Sequence, residues 1–273
     1  MWVFCTPARR GLPWRASLGS MAHDSVGEAN RMTRDFPYYN GEPVALRPAQ
    51  LAGLMLAVVA GFLALHLPFG DTSPILAFIP AVLFPAIPLL ALRAVAGRHW
   101  RALFQRLGVK AVAIAVGIAL LNLVVTVALG LLTTRFFDVS ANPVFDVLVH
   151  DSTSDRWLFA LQSLPQLLGE EVLTMLPFLA LMTLFTARAG WSRRTAIVAA
   201  WLISALIFGL AHLPTYQWNW VQCVVVIGSA RLVLSLAYLC TRNLWVSTLA
   251  HVLNDWTLFS LGLLLAASGH APA

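Results

Sequence analysis

The chain has 273 residues, of which 59% are hydrophobic and only 11% are charged, and its mean hydropathy is +0.77. A soluble domain carries about 25% charged residues, so this sequence lacks the polar residues needed to cover a surface in water. We therefore expect an integral membrane protein embedded in a lipid bilayer. A soluble nucleic-acid-binding protein is excluded although the net charge is +6, because an excess of basic residues also marks the cytoplasmic loops of membrane proteins.

The N-terminal residues 1–45 are predicted to form a basic, disordered tail. Prolines and arginines such as Pro7 and Arg9 interrupt its apolar stretch before a signal peptide could form. Seven apolar runs follow, each near the roughly 20 residues that cross a bilayer. They predict an all-α, polytopic transmembrane helix bundle of about seven spans, with residues 46–155 forming its N-terminal helices. The spans are Leu51–Pro68, Ile75–Val95, Val109–Leu132, Trp157–Ala187, Thr195–His212, Val221–Cys240 and Leu244–Ala267.

The charges of the loops orient this bundle. The segment 93–110 contains five basic residues and no acid, whereas the segment 135–156 contains four aspartates and two arginines. The first segment is therefore predicted to be cytoplasmic and the second to lie outside. The chain would then have a cytoplasmic N-terminus and an external C-terminus, and we expect it in the bacterial inner membrane.

Six ionisable side chains interrupt the last four apolar runs. An ionised group at the centre of a bilayer costs at least about 2.5–3.5 kcal/mol, so such residues face the interior of a bundle and often mark a functional site. Each also has a structural explanation: a glutamate can reach the interface, a histidine can lie there, and an imidazole one helical turn from a carboxylate can be a packing pair. The six are Glu170, Glu171, His212, Arg231, His251 and Asp255.

Three kinds of chemistry fit this cluster. Carboxylates and imidazoles can activate water and stabilise an oxyanion, bind a divalent metal such as zinc, or relay protons and bind a transported cation. A serine or cysteine hydrolase is disfavoured because the chain has no G-x-S-x-G motif and neither Cys223 nor Cys240 has a basic neighbour in sequence. A second class of function, a non-catalytic binding or transport protein, remains open at this point.

Three motifs on successive apolar runs carry a family resemblance. They are Glu170-Glu171 followed by Met175, Phe208 followed by His212, and His251 followed by Asp255. Their order and spacing resemble E-E-x-x-x-R, F-x-x-x-H and H-x-x-x-N/D of the CPBP family of intramembrane proteases. That family includes type 2 CAAX prenyl proteases and Abi-type bacteriocin-immunity proteins, and the resemblance covers about residues 158–259. It implies a protease core over residues 156–268.

The resemblance also implies roles for the residues. Glu170 would activate water together with His212, while His251 and Asp255 would stabilise the oxyanion or complete a metal site. The family is often called a metalloprotease, and His212, His251 and Glu170 would be the zinc ligands if a metal takes part. A glutamate mechanism without metal is equally compatible. The implied substrate is a membrane-associated peptide or protein.

This sequence departs from the family pattern at Met175, where the family has arginine. Glu171 then lacks the guanidinium group one helical turn away, and either one acid of the cluster binds a proton or a cation comes from elsewhere. Arg231 is the candidate cation, and Glu171 is its expected partner. A second difficulty concerns depth: counted from Thr195 at about 1.5 Å per residue, His212 would lie near the outer face of the membrane.

Overall fold

The computed structural model describes residues 35–69 and 75–268. The chain divides into two units, Met1–Phe36, of which two residues are described, and Pro37–Ala273. All regular secondary structure in the described part of the second unit is helical. Its α-helices are α1 Pro48–Ala64, α2 Phe78–Ala96, α3 Val109–Thr134, α4 Pro143–His150, α5 Thr153–Thr183, α6 Arg193–Ala211, α7 Gly228–Thr241 and α8 Leu244–Ala267.

Six helical segments in the described ranges are long and apolar enough to cross a bilayer, which confirms a polytopic helical bundle. α1, with 17 residues, is a shorter apolar helix. Large exposed aromatic side chains lie beside the ends of these helices, as is usual at the two membrane–water interfaces. They include Trp157, Trp191, Trp218, Trp220 and Trp245. The long segments are Phe78–Leu103, Val109–Thr134, Thr153–Arg188, Arg193–Ala211, Gln222–Thr241 and Leu244–Ala267.

Helix α5 is the centre of the bundle and packs against α1, α2, α6 and α8. In its most apolar window 67% of residues are buried, against 17% in α3. Pro165 and Pro177 both lie inside this helix, which continues without interruption and then passes into a π-helical turn, Leu184–Arg188. The two prolines therefore do not divide the fourth predicted span into two helices. Its 31 residues measure about 46 Å, longer than the bilayer core.

The structure adds features that the apolar runs do not predict. The eight-residue helix α4 lies in the acidic loop, where Asn142 caps it by accepting a hydrogen bond from the Val144 amide. A π-helix, Gln222–Ile227, forms the first part of the sixth predicted span. Of the predicted tail, residues 1–34 lie outside the described residues, whereas Tyr38 is buried and its hydroxyl donates to the His99 carbonyl at 2.9 Å.

The turn between α5 and α6 determines the height of His212. Gly190 adopts a positive φ of 66° in this turn, and the Ser192 hydroxyl accepts a hydrogen bond from the Thr195 amide at the start of α6. Counted from this turn at about 1.5 Å per residue, Glu171 and His212 lie at nearly the same height. The expected mismatch in depth therefore disappears, because α6 ends at the level of the glutamates and the chain continues there as a non-helical segment.

Helix α6 packs closely against the π-helix near the end that precedes His212, and this contact yields a prediction. A Cβ atom at Gly209 would lie 2.5 Å from the Cys223 carbonyl oxygen, whereas one at Gly117 of α3 would meet nothing within 4 Å. We expect Gly209→Ala to lower the free energy of unfolding by about 1–3 kcal/mol, because backbone must move to admit the methyl group. Thermal unfolding in detergent measures this, with Gly117→Ala as the matched control. Equal melting temperatures for the two variants would contradict the packing described.

Candidate active site

The most buried acid of the cluster is Glu171 in α5, whose side chain is 0% exposed. Its Oε1 atom lies 2.7 Å from Arg231 Nη1 and 2.9 Å from His251 Nδ1. An ionised carboxylate only accepts hydrogen bonds, so His251 Nδ1 is the donor in the second contact. Glu171 thus joins three helices, α5, α7 and α8, through one oxygen atom.

Arg231 is also fully buried, at the middle of the sixth predicted span. Its contact with Glu171 is a close ion pair rather than a hydrogen bond. Neither terminal nitrogen of Arg231 has hydrogen-bond geometry with any described residue. The guanidinium carbon lies 5.0 Å from the centroid of the Phe208 ring, and Nε lies 3.4 Å from the Ser235 hydroxyl. The family pattern places an arginine at the position of Met175, on the same helix as Glu171. In this chain the guanidinium group next to Glu171 comes from another helix, α7.

Glu170 and Asp255 face the other nitrogen of the same imidazole. His251 Nε2 lies 3.7 Å from Glu170 Oε2 and 3.7 Å from Asp255 Oδ1. The side chains of Glu170 and Asp255 are 12% and 22% exposed, in contrast to the sealed Glu171. Gln166, one turn before Glu170, donates to Glu170 Oε1 at 3.4 Å. These two carboxylates are therefore the acids of the cluster that water or a substrate can reach.

Packing next to Glu170 explains why a glycine precedes it. A Cβ atom at Gly169 would collide with the Phe84 ring of α2. The absent side chain lets α2 and α5 approach closely at the level of the site. Glu170 is thereby held on a rigid part of α5 rather than on a loop.

His212 lies beside the cluster rather than in direct contact with its acids. It follows α6, and its Nδ1 lies 2.8 Å from the Phe208 carbonyl oxygen. The Phe208 ring centroid is 4.5 Å from the His212 ring and 6.4 Å from the His251 ring. The two predicted histidines thus flank one phenyl ring, with Arg231 also beside it.

Three further polar residues near the cluster were not predicted. Asn254 donates to Asp255 Oδ1 at 2.9 Å, and Asn122 of α3 donates to Asn254 Oδ1 at 3.0 Å. Tyr216, in the segment after α6, accepts a hydrogen bond from Asn142 at 3.2 Å. A lone amide in the most hydrophobic span was the available signal for Asn122, whereas nothing in the sequence singles out Tyr216.

Tyr216 carries a phenol that stays protonated near neutral pH. Burial raises its pKa to about 12, and the nearby charges of Asp255 and Glu170 act in the same direction, while the hydrogen bond from Asn142 opposes them. Because the Asn142 amide already donates to the phenol oxygen, the hydroxyl proton is available to an acceptor. The segment after α6 thus brings a neutral hydrogen-bond donor close to the exposed carboxylates.

The predicted zinc ligands do not form a ready-made metal centre. No group of three His, Cys, Asp or Glu side chains in the described ranges is arranged so that it could hold a metal ion. His251 Nδ1 is engaged by Glu171, and His212 Nδ1 is beside a backbone carbonyl.

Comparison with known proteins agrees with the motifs. Residues 152–257 match the family model described as "Rce1-like: Type II CAAX prenyl endopeptidase Rce1-like". The match begins at the residue that caps α5, ends within α8 and includes all six predicted site residues. It confirms the resemblance to the CPBP family over this part of the chain. No curated protein and no solved structure matches the chain. The fold and the match define an integral membrane protein with a region similar to a protease family.

The pair of Glu171 and Arg231 yields a second prediction. Removing one partner leaves a buried charge uncompensated, which costs about 3–5 kcal/mol. We expect Arg231→Met and Glu171→Gln each to destabilise the protein strongly, and the double variant to lose clearly less than the sum of the two. Chemical unfolding in detergent measures this cycle, with Arg194→Met as a matched control because Arg194 is exposed. Additive losses would show that the two groups are not coupled.

Proposed function

We propose that this protein is an intramembrane endopeptidase that hydrolyses a peptide bond with water activated by Glu170. The observation that carries the proposal is the difference in exposure and contacts between two adjacent glutamates. Glu171 is sealed and paired with Arg231, whereas Glu170 is partly exposed and lies 3.7 Å from His251 Nε2. A general base must reach both water and substrate, and of the two only Glu170 does so.

In the proposed reaction these residues act one after another. Glu170 accepts a proton from water as the water oxygen bonds to the carbonyl carbon of the substrate. His251 takes part as the imidazolium, in which Nδ1–H donates to Glu171 and Nε2–H donates to the oxyanion that develops. Glu170 then transfers the proton to the leaving amine as the carbon–nitrogen bond breaks. Glu171 acts through His251, because its Oε1 accepts from Nδ1–H, stabilises the positive charge of the imidazolium and fixes the direction of the ring.

His212 and Asp255 have supporting roles in this proposal. His212 and His251 both lie against the Phe208 ring, and His212 assists in activating water or in binding the oxyanion. Asp255 lies beside His251 Nε2, and its negative charge helps to orient the imidazole ring. The matched family model concerns prenyl endopeptidases, so a peptide with a prenylated C-terminal cysteine motif is the first substrate class to test.

A glutamine at position 170 is the direct test of the base. Glu170→Gln preserves size but cannot accept the proton, so we expect turnover to fall by about 10²–10⁴-fold or more. The assay is cleavage of prenylated and unmodified peptide libraries by purified protein in vesicles. Glu42→Gln makes the same change at an exposed glutamate and should leave turnover as in the wild type. Full activity of Glu170→Gln would overturn the assignment, and no cleavage by the wild type would favour the binding or transport alternative.

Metal dependence is tested separately. In the proposed glutamate mechanism, activity persists after treatment with a strong chelator, and elemental analysis of active protein finds far less than one metal ion per chain. A zinc mechanism requires several ligands acting together on one bound ion. About one zinc per chain, together with loss of activity on chelation and recovery with zinc, would contradict the metal-free reaction.

A further inference from the structure

Helix α3 contributes one amide side chain to the interior of the bundle. It has the highest mean hydropathy of the candidate spans, 2.7, and the lowest buried share. Asn122 is nevertheless 0% exposed and is the only amide side chain in this helix. A buried amide is costly in an apolar environment unless it forms hydrogen bonds. Its position therefore calls for a specific partner.

That partner leads directly to the candidate active site. Asn122 Nδ2 donates to Asn254 Oδ1 at 3.0 Å, and Asn254 Nδ2 donates to Asp255 Oδ1 at 2.9 Å. The same Asp255 oxygen lies 3.7 Å from His251 Nε2. Two amides in series thus connect α3 with the imidazole that faces Glu170.

The chemistry of the groups determines the direction of this chain. An ionised carboxylate can only accept, so Asn254 must turn its NH₂ group toward Asp255. Its carbonyl oxygen then points to Asn122, which must donate. If Asn122 were apolar, Asn254 would keep this orientation through Asp255 but would lose the contact that holds its amide in place from α3.

We infer that Asn122 is a positioning residue that orients Asp255 beside His251 by fixing the amide of Asn254. The inference rests on the proposed peptidase function for its kinetic consequence. α3 lies outside residues 152–257, the part that matches the protease family. An N-terminal helix therefore completes the hydrogen-bond network of the site.

The kinetic test compares two substitutions one helical turn apart. We expect Asn122→Leu to lower kcat by about 3- to 10-fold with KM unchanged, the equivalent of one net hydrogen bond. Thr126→Val is the matched control, because the buried Thr126 hydroxyl has no hydrogen-bond partner among the described residues. Asn122→Ala provides a smaller variant if leucine does not fit.

A double variant separates positioning from a general loss of packing. If Asn122 acts through Asp255, Asn122→Leu should change kcat by less than about 2-fold when Asp255 is already alanine. The full 3- to 10-fold loss in that background would overturn the inference. So would an equal loss of kcat in Thr126→Val.

An infrared measurement tests the orientation without relying on catalysis. The antisymmetric carboxylate band of Asp255 is assigned by its disappearance in Asp255→Asn, and it depends on the hydrogen bonds that the carboxylate accepts. We expect this band to move in Asn122→Leu or Asn122→Ala and to stay in place in Thr126→Val. An unmoved band overturns the inference even in an active protein. A moved band without any peptidase activity would reject the proposed function and retain the hydrogen-bond chain.

Discussion

The structure depends on the neutralisation of one sealed carboxylate. Glu171 has no exposed surface, and the groups that approach its Oε1 come from two other helices, Arg231 from α7 and His251 from α8. In a low-dielectric interior a lone charge is very costly, so Glu171 can be buried in its ionised form only if Arg231 and His251 reach it. The same contact that makes burial possible also directs the free nitrogen of His251 toward the exposed carboxylates.

In the proposed mechanism, this arrangement separates a structural role from a chemical role within a short stretch of α5. Glu171 holds the bundle and the imidazole, while Glu170 one residue earlier meets the accessible side of the site. A long helix with two prolines, packed on four neighbours, holds both residues rigidly. The segment between α6 and the π-helix lies at the same level and adds His212 and Tyr216. The N-terminal helices are part of this design, since Phe84 packs on Gly169 and Asn122 reaches Asn254.

Much of the fold follows from apolar run length, but several parts of the site do not. The run Leu244–Ala267 predicts α8 with both bounds. The cost of a lone buried guanidinium, together with the methionine that replaces the family's arginine at position 175, identifies Glu171 as the partner of Arg231. The apolar runs do not predict helix α4, because its eight residues lie in the acidic segment that was interpreted as a loop. The predicted mismatch in depth between His212 and the other site residues does not arise in the structure, because α6 ends beside Phe208, which also lies near His251. Asn122 and Asn254 form a contact between two helices that are far apart in the sequence, so a local sequence pattern cannot predict it.

We propose that this buried cluster directs water to a peptide carbonyl. The most direct measurement is cleavage in ¹⁸O-labelled water, with mass analysis of both the product and the protein after many turnovers. Direct attack by water activated at Glu170 predicts one ¹⁸O atom in the new carboxyl group of the product and none in the Glu170 side chain. The absence of a labelled product, or ¹⁸O in the Glu170 carboxylate, would contradict the account.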